Sequence, residues 1–133
     1  MQETFDFLKA TGVNFVATID GNRPSCRPFG DPFLYDGKIY CITKKYKNVV
    51  KQLNENPTAC IVAYDGDTRW MRIRCELIND SDNIAAKETA IAYFDWAKEA
   101  GYTIDNPDFQ IFYIHNAAVE LLDDDKRLNS WSF

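Results

Sequence analysis

Three Asp-Gly pairs divide the first half of the chain into short apolar segments, and this spacing limits the possible folds. The pairs are Asp20-Gly21, Asp36-Gly37 and Asp65-Gly66. Asp-Gly between alternating apolar runs favours a hairpin turn, because glycine adopts a positive φ without steric cost. The segments between the early turns are too short to contain the crossover that parallel strands require. We therefore expect antiparallel strands instead of a parallel α/β sheet.

Hydrophobic periodicity predicts the remaining elements. Residues 13–20 alternate, with one face formed by Val13, Phe15, Ala17 and Ile19. Residues 58–64 are apolar on both faces, which predicts a strand covered on both sides. Helices are expected at residues 3–11, 48–56 and 83–100. Residues 109–122 have strand character with a possible break near Asn116, and the tail 123–133 is polar apart from Leu128, Trp131 and Phe133.

About six or seven antiparallel strands with few helices predict a mainly β fold, a small barrel with flanking helices. The 133 residues correspond to one domain, residues 1–133, and contain no repeat or linker. Aromatic residues make up 14% of the chain, which is more than one small core needs. We expect some of them to line an interface or a flat ligand.

The charge distribution limits the class of partner. The net charge of −5 makes nucleic acid an unexpected partner. Residues 23–51, however, carry seven Lys or Arg against two acids. This segment is either a specific anion site or a solvated basic loop, and charge alone does not separate the two.

Cysteine spacing and the N-terminus indicate the compartment. None of Cys26, Cys41, Cys60 and Cys75 lies in a C-x-x-C pair, so no metal site is expected. We interpret the cysteines as small buried hydrophobic residues with reduced thiols. Residues 1–12 lack the apolar core of a signal peptide, and no segment is long enough to span a membrane. The expected location is the cytoplasm.

Two segments carry candidate chemistry. In residues 42–53 a strand ends at Thr43, and a lysine-bearing loop leads through Lys47 to a helix that begins near Asn48. Helix N-termini bind phosphate through unpaired amides, although a solvated turn capped by Asn48 is an equal alternative. The second segment, residues 23–29, contains two prolines and Arg27. It is either a ligand-binding strand or an edge strand protected by proline.

Together these segments resemble the FMN-binding split-barrel family related to pyridoxamine 5′-phosphate oxidase. The resemblance covers most of residues 5–122. The matching residues are Arg27-Pro28-Phe29, Thr43, Lys47-Asn48-Val49, Gln52 and Asn56-Pro57, with Trp70, Arg72 and Arg74 further along. Short members of the family include flavin reductases and nitroimidazole-resistance proteins.

The resemblance implies a six-stranded antiparallel split β-barrel that forms a homodimer with two FMN sites at the subunit interface. It places Arg27, Lys47 and Asn48 at the phosphate and Thr43 beside the ribityl–phosphate part. It also implies backbone contacts from Pro28 and Phe29 to the flavin ring. The implied cofactor-binding set is completed by Val49 and by two residues that flank the ring from the partner chain, Trp70 and Trp131.

The expected function is an FMN-dependent oxidoreductase that passes electrons from a reduced nicotinamide to a small oxidised acceptor. The alternative is a non-enzymatic module that binds flavin, haem or a deazaflavin. The chain lacks the C-terminal extension that holds substrate phosphate in true pyridoxamine phosphate oxidases, so vitamin B6 oxidation is not expected. No catalytic residue is assigned, because the flavin itself performs the redox chemistry. His115 is interpreted as a core or interface residue, and residues 123–125 as a solvated acidic turn.

Overall fold

The computed structural model describes all 133 residues, which form three helices and eight strands. None of the helices is long and apolar enough to cross a membrane. In chain order the elements are α1 (Gln2–Thr11), β1 (Asn14–Asp20), β2 (Arg23–Phe29), β3 (Phe33–Tyr35), β4 (Lys38–Lys44), α2 (Asn48–Glu55), β5 (Thr58–Tyr64), β6 (Arg69–Asn79), α3 (Ile84–Tyr93), β7 (Phe109–Asp123) and β8 (Lys126–Ser132).

The eight strands form one sheet in the order β2-β1-β5-β6-β7-β4-β3, and β8 pairs with β7. Every pair is antiparallel, so the mainly β, antiparallel prediction is confirmed. The expected counts, about six or seven strands from the sequence pattern and six from the resemblance, were slightly too low. The polar tail forms β8, whose exposed residues lack the apolar alternation that would have revealed a strand.

All three Asp-Gly pairs lie at hairpin turns, as predicted. β1 and β2 pair from Asp20 opposite Arg23 onward. Asp36 and Gly37 have φ values of 48° and 70°. Two consecutive positive φ values are typical of a type I′ turn, whose twist matches that of the strands it joins.

The third helix is shorter than expected. It ends at Tyr93, and Phe94 has extended backbone with φ −101° and ψ 111°. Residues 94–101 continue as turns, and this change of direction buries Phe94, Ala97 and Tyr102 against β3 and β7. Burial of two aromatic rings outweighs the helix propensity of a short exposed segment.

The irregularity expected near Asn116 is present, although β7 is continuous. Asn116 has a positive φ of 49°, and the register of β6 against β7 shifts between Arg74 and Glu76. The Asn116 side chain donates to Glu76 Oε1 at 2.7 Å. The two observations describe a β-bulge that bends the longest strand pair of the sheet.

The core lies on one side of β1 and β5, so their second faces are uncovered. On β1 the buried residues are Asn14, Val16 and Thr18, whereas Phe15 on the opposite face is 49% exposed. On β5 only the face with Ala59, Ile61 and Ala63 is buried. Within the single chain, the prediction that β5 is covered on both sides is therefore wrong.

The prediction for the cysteines was correct for part of the set. Cys75 is buried, and Cys41 and Cys60 are half-buried, but Cys26 on β2 is exposed. Burial raises the pKa of Cys75 to about 12, so this thiol stays protonated and packs as an apolar group. Cys26 lies on β2, an edge strand with a neighbouring strand on one side only.

Candidate functional site

A cleft of about 420 Å³ lies between β2, the end of β4, the start of α2 and the turns after α3. Its volume is within the range of small-molecule sites, roughly 300–1,000 Å³. One wall is the continuous segment from Ser25 to Asp31. Because β2 pairs only with β1, this wall is a free sheet edge, as the prolines predicted.

The N-terminus of α2 forms the floor of the cleft and has no side-chain cap. Lys47 is the N-cap residue, with extended backbone and no side-chain hydrogen bond to the helix. The backbone amides of Asn48 and Val49, which line the cleft, donate to no acceptor in the chain. Free amides and the partial positive charge of a helix start suit an anion. Asn48 therefore does not cap the helix, contrary to one of the two alternatives for this segment.

Thr43 lies beside this helix start at the end of β4. The residue is 2% exposed, and its Oγ1 is the one buried side-chain oxygen or nitrogen in the structure without a hydrogen-bond partner. An unsatisfied buried hydroxyl costs about 1–3 kcal/mol, so such groups are rare outside functional sites. A ligand oxygen in the cleft would supply the missing partner.

The guanidinium of Arg27 donates four hydrogen bonds to other residues of the chain. One terminal nitrogen donates to Val16 O at 3.1 Å and Thr18 Oγ1 at 2.7 Å. The other donates to Ser25 Oγ at 2.8 Å and Gln52 Oε1 at 2.7 Å. Partial burial lowers the pKa of Arg27, and these four acceptors offset that cost. Arg27 thus joins β2 to β1 and α2, and it fixes the cleft wall relative to its floor.

Arg27→Lys is expected to lower the free energy of unfolding by about 1–2 kcal/mol, because an ammonium cannot satisfy four acceptors that surround a planar fork. Urea denaturation would measure the change. Arg23→Lys, on the same strand but exposed, is the matched control and should change stability by less than about 0.5 kcal/mol. Equal stability of the two variants would contradict the structural role of Arg27.

Comparison with protein families identifies the chain. The family model described as pyridoxamine 5′-phosphate oxidase matches residues 1–123. The chain belongs to the pyridoxamine 5′-phosphate oxidase family. A search of curated proteins gave no significant match.

Solved structures agree with this membership. A NimC/NimA family protein from Clostridium acetobutylicum is 31% identical, with a TM-score of 0.92 over 100% of this chain and 93% of the other. An FMN-binding protein related to pyridoxamine 5′-phosphate oxidase, from Nostoc punctiforme, is 19% identical, with a TM-score of 0.73 over 98% and 84%. A haem-binding protein from Mycobacterium smegmatis is 18% identical, with a TM-score of 0.69 over 98% and 56%. The last two likenesses show the split-barrel fold alone.

The structure places the residues that family membership suggested in two groups. Those that line the cleft are Arg27, Pro28, Phe29, Thr43, Lys47, Asn48 and Val49. Trp70 and Trp131 do not line it. Trp70 Nε1 donates to Asp124 O at 2.7 Å, and Trp131 Nε1 donates to Thr4 Oγ1 at 2.9 Å. Their contact with a cofactor in a partner chain stays a prediction.

Among the cleft residues that sequence reasoning missed are Asp31, Trp96 and Tyr102. Trp96 and Tyr102 follow α3 and reach the cleft because the helix ends early. Their rings lie 5.9 Å apart, nearly perpendicular. The run Tyr93-Phe94-Asp95-Trp96 contains three aromatic residues, which is unusual on an exposed helix, and this was the signal available in the sequence.

Lys44 holds the turns after α3 in place. Its Nζ donates to Ala100 O at 2.6 Å and lies 5.1 Å from the centroid of the Tyr102 ring. One lysine of the predicted phosphate loop therefore fixes the opposite side of the cleft, and Lys47 is the lysine that lines it. No three His, Cys, Asp or Glu side chains lie together as a metal site would require.

Proposed function

We propose that the chain is a flavoprotein that binds FMN in this cleft. The observation that carries the proposal is the unpartnered hydroxyl of Thr43 beside the uncapped start of α2. A phosphate monoester supplies acceptor oxygens for that hydroxyl and for the free amides of Asn48 and Val49. Membership of a family with an FMN-binding structural relative supports the choice of this mononucleotide over other anions.

The charges in the cleft suit a ligand with one anionic end. Lys47 and the start of α2 form a positive end, whereas Pro28 and Phe29 on the β2 edge are uncharged. A ring with polar edges would find backbone groups along β2 that no other strand uses. We propose that the phosphate occupies the α2 end and the ring occupies the β2 end.

We further propose that the protein is an oxidoreductase that takes electrons from a reduced nicotinamide and passes them to a small oxidised acceptor. The flavin supplies the redox chemistry when it is bound, and the protein binds and orients it. The four cysteines are free, which agrees with our proposal of a cytoplasmic location, where thiols are kept reduced.

The purified protein tests the proposal directly. We expect a yellow protein, or a colourless one whose thermal midpoint rises when FMN is added, because a ligand that binds only the folded state stabilises it. Riboflavin, which lacks the phosphate, should stabilise the protein much less. Absence of stabilisation by FMN would overturn the proposal.

Thr43→Val provides a sharper test. The substitution removes an unsatisfied hydroxyl, so the FMN-free protein should be as stable or about 1 kcal/mol more stable, while its affinity for FMN falls by about fivefold. Thr18→Val is the matched control, since Thr18 is equally buried but donates to Gln52 Oε1 at 2.6 Å and should lose stability. Fluorescence titration and urea denaturation measure the two effects. An unchanged FMN affinity would separate Thr43 from the site.

We also propose a homodimer built on the uncovered face of β1 and β5. Phe15 is 49% exposed and Tyr64 is 51% exposed, and both lie on this face. Val62 is directly opposite Phe15 on β5, and Pro28 is opposite it on β2. Pro28 also lines the cleft, so a second copy on this face would reach the edge of the cofactor site.

Sedimentation should therefore give twice the chain mass of 15.3 kDa. Phe15→Asp should shift the protein to the monomer, because a carboxylate in an apolar interface has no partner. Leu128→Asp is the control, since Leu128 is also exposed but lies on β8. A wild-type monomer at micromolar concentration would contradict this part of the proposal.

The second candidate is a non-enzymatic module that carries a flavin, a deazaflavin or haem. The haem-binding structural relative is the reason to retain haem. Cys41 in the cleft is a poor candidate for a thiolate ligand of haem, because burial raises its pKa to about 12. His115 does not line the cleft.

Addition of NADPH to the FMN-loaded protein separates an enzyme from a carrier, since only the enzyme bleaches the flavin within turnover time.

A further inference from the structure

A basic turn with an exposed aromatic ring connects β4 to α2 beside the cleft. We call its four residues, 44–47, the lysine turn, with the sequence Lys-Lys-Tyr-Lys. Lys47 N donates to Lys44 O at 3.0 Å, which closes the turn. Lys45 N donates to Asp108 O at 2.8 Å and attaches the turn to the segment before β7. The backbone is therefore held in place, with Lys45 and Tyr46 as the two central residues of the turn.

The ring of Tyr46 is uncovered and lies close to the cleft. Tyr46 is 68% exposed, more than any other large hydrophobic side chain of the structure. Its chain neighbour Lys47 lines the cleft. Burial raises the pKa of Tyr102, a residue of the cleft wall, and the nearby phenol of Tyr46 raises it further. An exposed ring in this position offers a free face on which a flat base can stack.

The charge around Tyr46 exceeds what the phosphate of FMN requires. Residues 37–54 contain five lysines and no acidic residue, although the net charge of the chain is −5. Of these lysines only Lys38 forms an ion pair. Lys44 is held by a backbone carbonyl, and we assign Lys47 to the phosphate of FMN. The exposed ammonium of Lys45 has no acceptor in the chain and is free to bind a second phosphate.

We propose that Lys45 and Tyr46 bind the adenosine end of the electron donor, and that this donor is a nicotinamide dinucleotide with a phosphate on its adenosine ribose. The inference rests on the proposed function. FMN occupies the cleft in that proposal, so the half of the donor that does not react has to bind beside the cleft. Adenine would stack on Tyr46, and the ribose phosphate would pair with Lys45.

The number of exposed rings in the lysine turn favours a single nucleotide over a nucleic acid. A single strand is bound by several stacking rings along a basic groove, and the net charge of −5 opposes such a partner. The lysine turn offers one ring, which matches one base. The free ammonium beside that ring favours a donor with an additional phosphate over one without it.

Three probes test the site on protein saturated with FMN, which keeps them away from the start of α2. They are 2′,5′-ADP, 5′-AMP and nicotinamide mononucleotide, which represent the adenosine end with and without the extra phosphate and the opposite end of the donor. Isothermal titration calorimetry at low ionic strength should rank their affinities in that order. The proposal is overturned if nicotinamide mononucleotide binds as tightly as 2′,5′-ADP, or if 2′,5′-ADP does not bind at about 10 mM.

Substitution of Tyr46 tests the stacking. Tyr46→Ala should weaken the binding of 2′,5′-ADP and of 5′-AMP by about tenfold each, because both probes carry the base. Tyr46→Phe keeps a ring and should recover most of that loss. Equal affinities of the wild type and Tyr46→Ala would show that no base stacks on Tyr46 and would overturn the proposal.

Substitution of Lys45 tests the phosphate contact. Lys45→Gln should reduce the preference for 2′,5′-ADP over 5′-AMP by about three- to fivefold. Lys126→Gln is the matched control, because it makes the same charge change at an exposed position on β8 and should leave the preference unchanged. If the two variants had equal effects, the probes would respond to net charge alone, and the assignment of the ribose phosphate to Lys45 would be wrong.

The FMN affinity of each variant is measured first, by fluorescence titration. Lys45 and Tyr46 do not line the cleft, so their variants should bind FMN within about threefold of the wild type. If FMN binds the wild-type protein and the probes do not, the donor site is wrong and the flavoprotein proposal stands. If FMN does not bind the wild-type protein, the proposed function itself has failed.

Discussion

Phe33→Ala is expected to lower the free energy of unfolding by about 3–5 kcal/mol, because it leaves a cavity in a closely packed aromatic cluster. Phe33 is completely buried on β3, a strand of three residues. Its ring stacks on Tyr40 at 5.2 Å and meets Phe94 edge-on at 6.1 Å. Phe94 in turn supports Trp96, so the loss should also loosen the cleft wall and weaken FMN binding.

Urea denaturation of the FMN-free protein measures the loss of stability, and a fluorescence titration with FMN measures the effect on the site. Tyr46→Ala is the control, because Tyr46 is an aromatic residue that is 68% exposed and should change stability by less than about 0.5 kcal/mol. A loss of less than about 1 kcal/mol for Phe33→Ala would mean that the cluster around β3 collapses onto the cavity without cost.

Lys47→Glu is expected to weaken FMN binding by about 100-fold, since it removes a charge-assisted hydrogen bond and places a carboxylate beside the phosphate. Lys47 is exposed and lies at the N-cap of α2, where it makes no side-chain bond to the helix. Its replacement should therefore leave the stability of the FMN-free protein nearly unchanged. Equilibrium dialysis or fluorescence quenching at moderate ionic strength gives the affinity.

Lys51→Glu is the matched control for this prediction. Lys51 is exposed on the same helix, carries the same charge and does not line the cleft. We expect its replacement to weaken FMN binding by less than about threefold, an effect of long-range charge that salt should screen. If both variants lost affinity equally, the phosphate would respond to net charge alone and would not be bound at the start of α2.

The local elements of the fold were predictable, because short-range chemistry specifies them. Each Asp-Gly pair carries a residue that favours positive φ, and Gly12 ends α1 with a φ of 77°. β8 was not predictable, because an edge strand with five consecutive exposed residues has no apolar alternation. The end of α3 at Tyr93 depends on contacts of Phe94 with Phe33, which is distant in sequence.

The candidate site likewise has residues that local sequence predicts and residues whose positions depend on distant contacts. Thr43, Lys47 and Asn48 were found because one strand–loop–helix segment carries them. Arg27 was expected at the phosphate, but its position beside Gln52 Oε1 depends on how β2 and α2 pack. Trp96 enters the cleft from the turns that follow α3, and no hydrophobic periodicity in the sequence indicates those turns.

The free edge of β2 has a consequence for assembly. Pro24 and Pro28 alternate with residues that have amide hydrogens, so an incoming polypeptide would find two gaps in any ladder it tried to form. A small molecule needs only one or two backbone partners and is not hindered by those gaps. The edge is therefore open to a small molecule and closed to a ninth strand, which protects the protein from edge-to-edge aggregation.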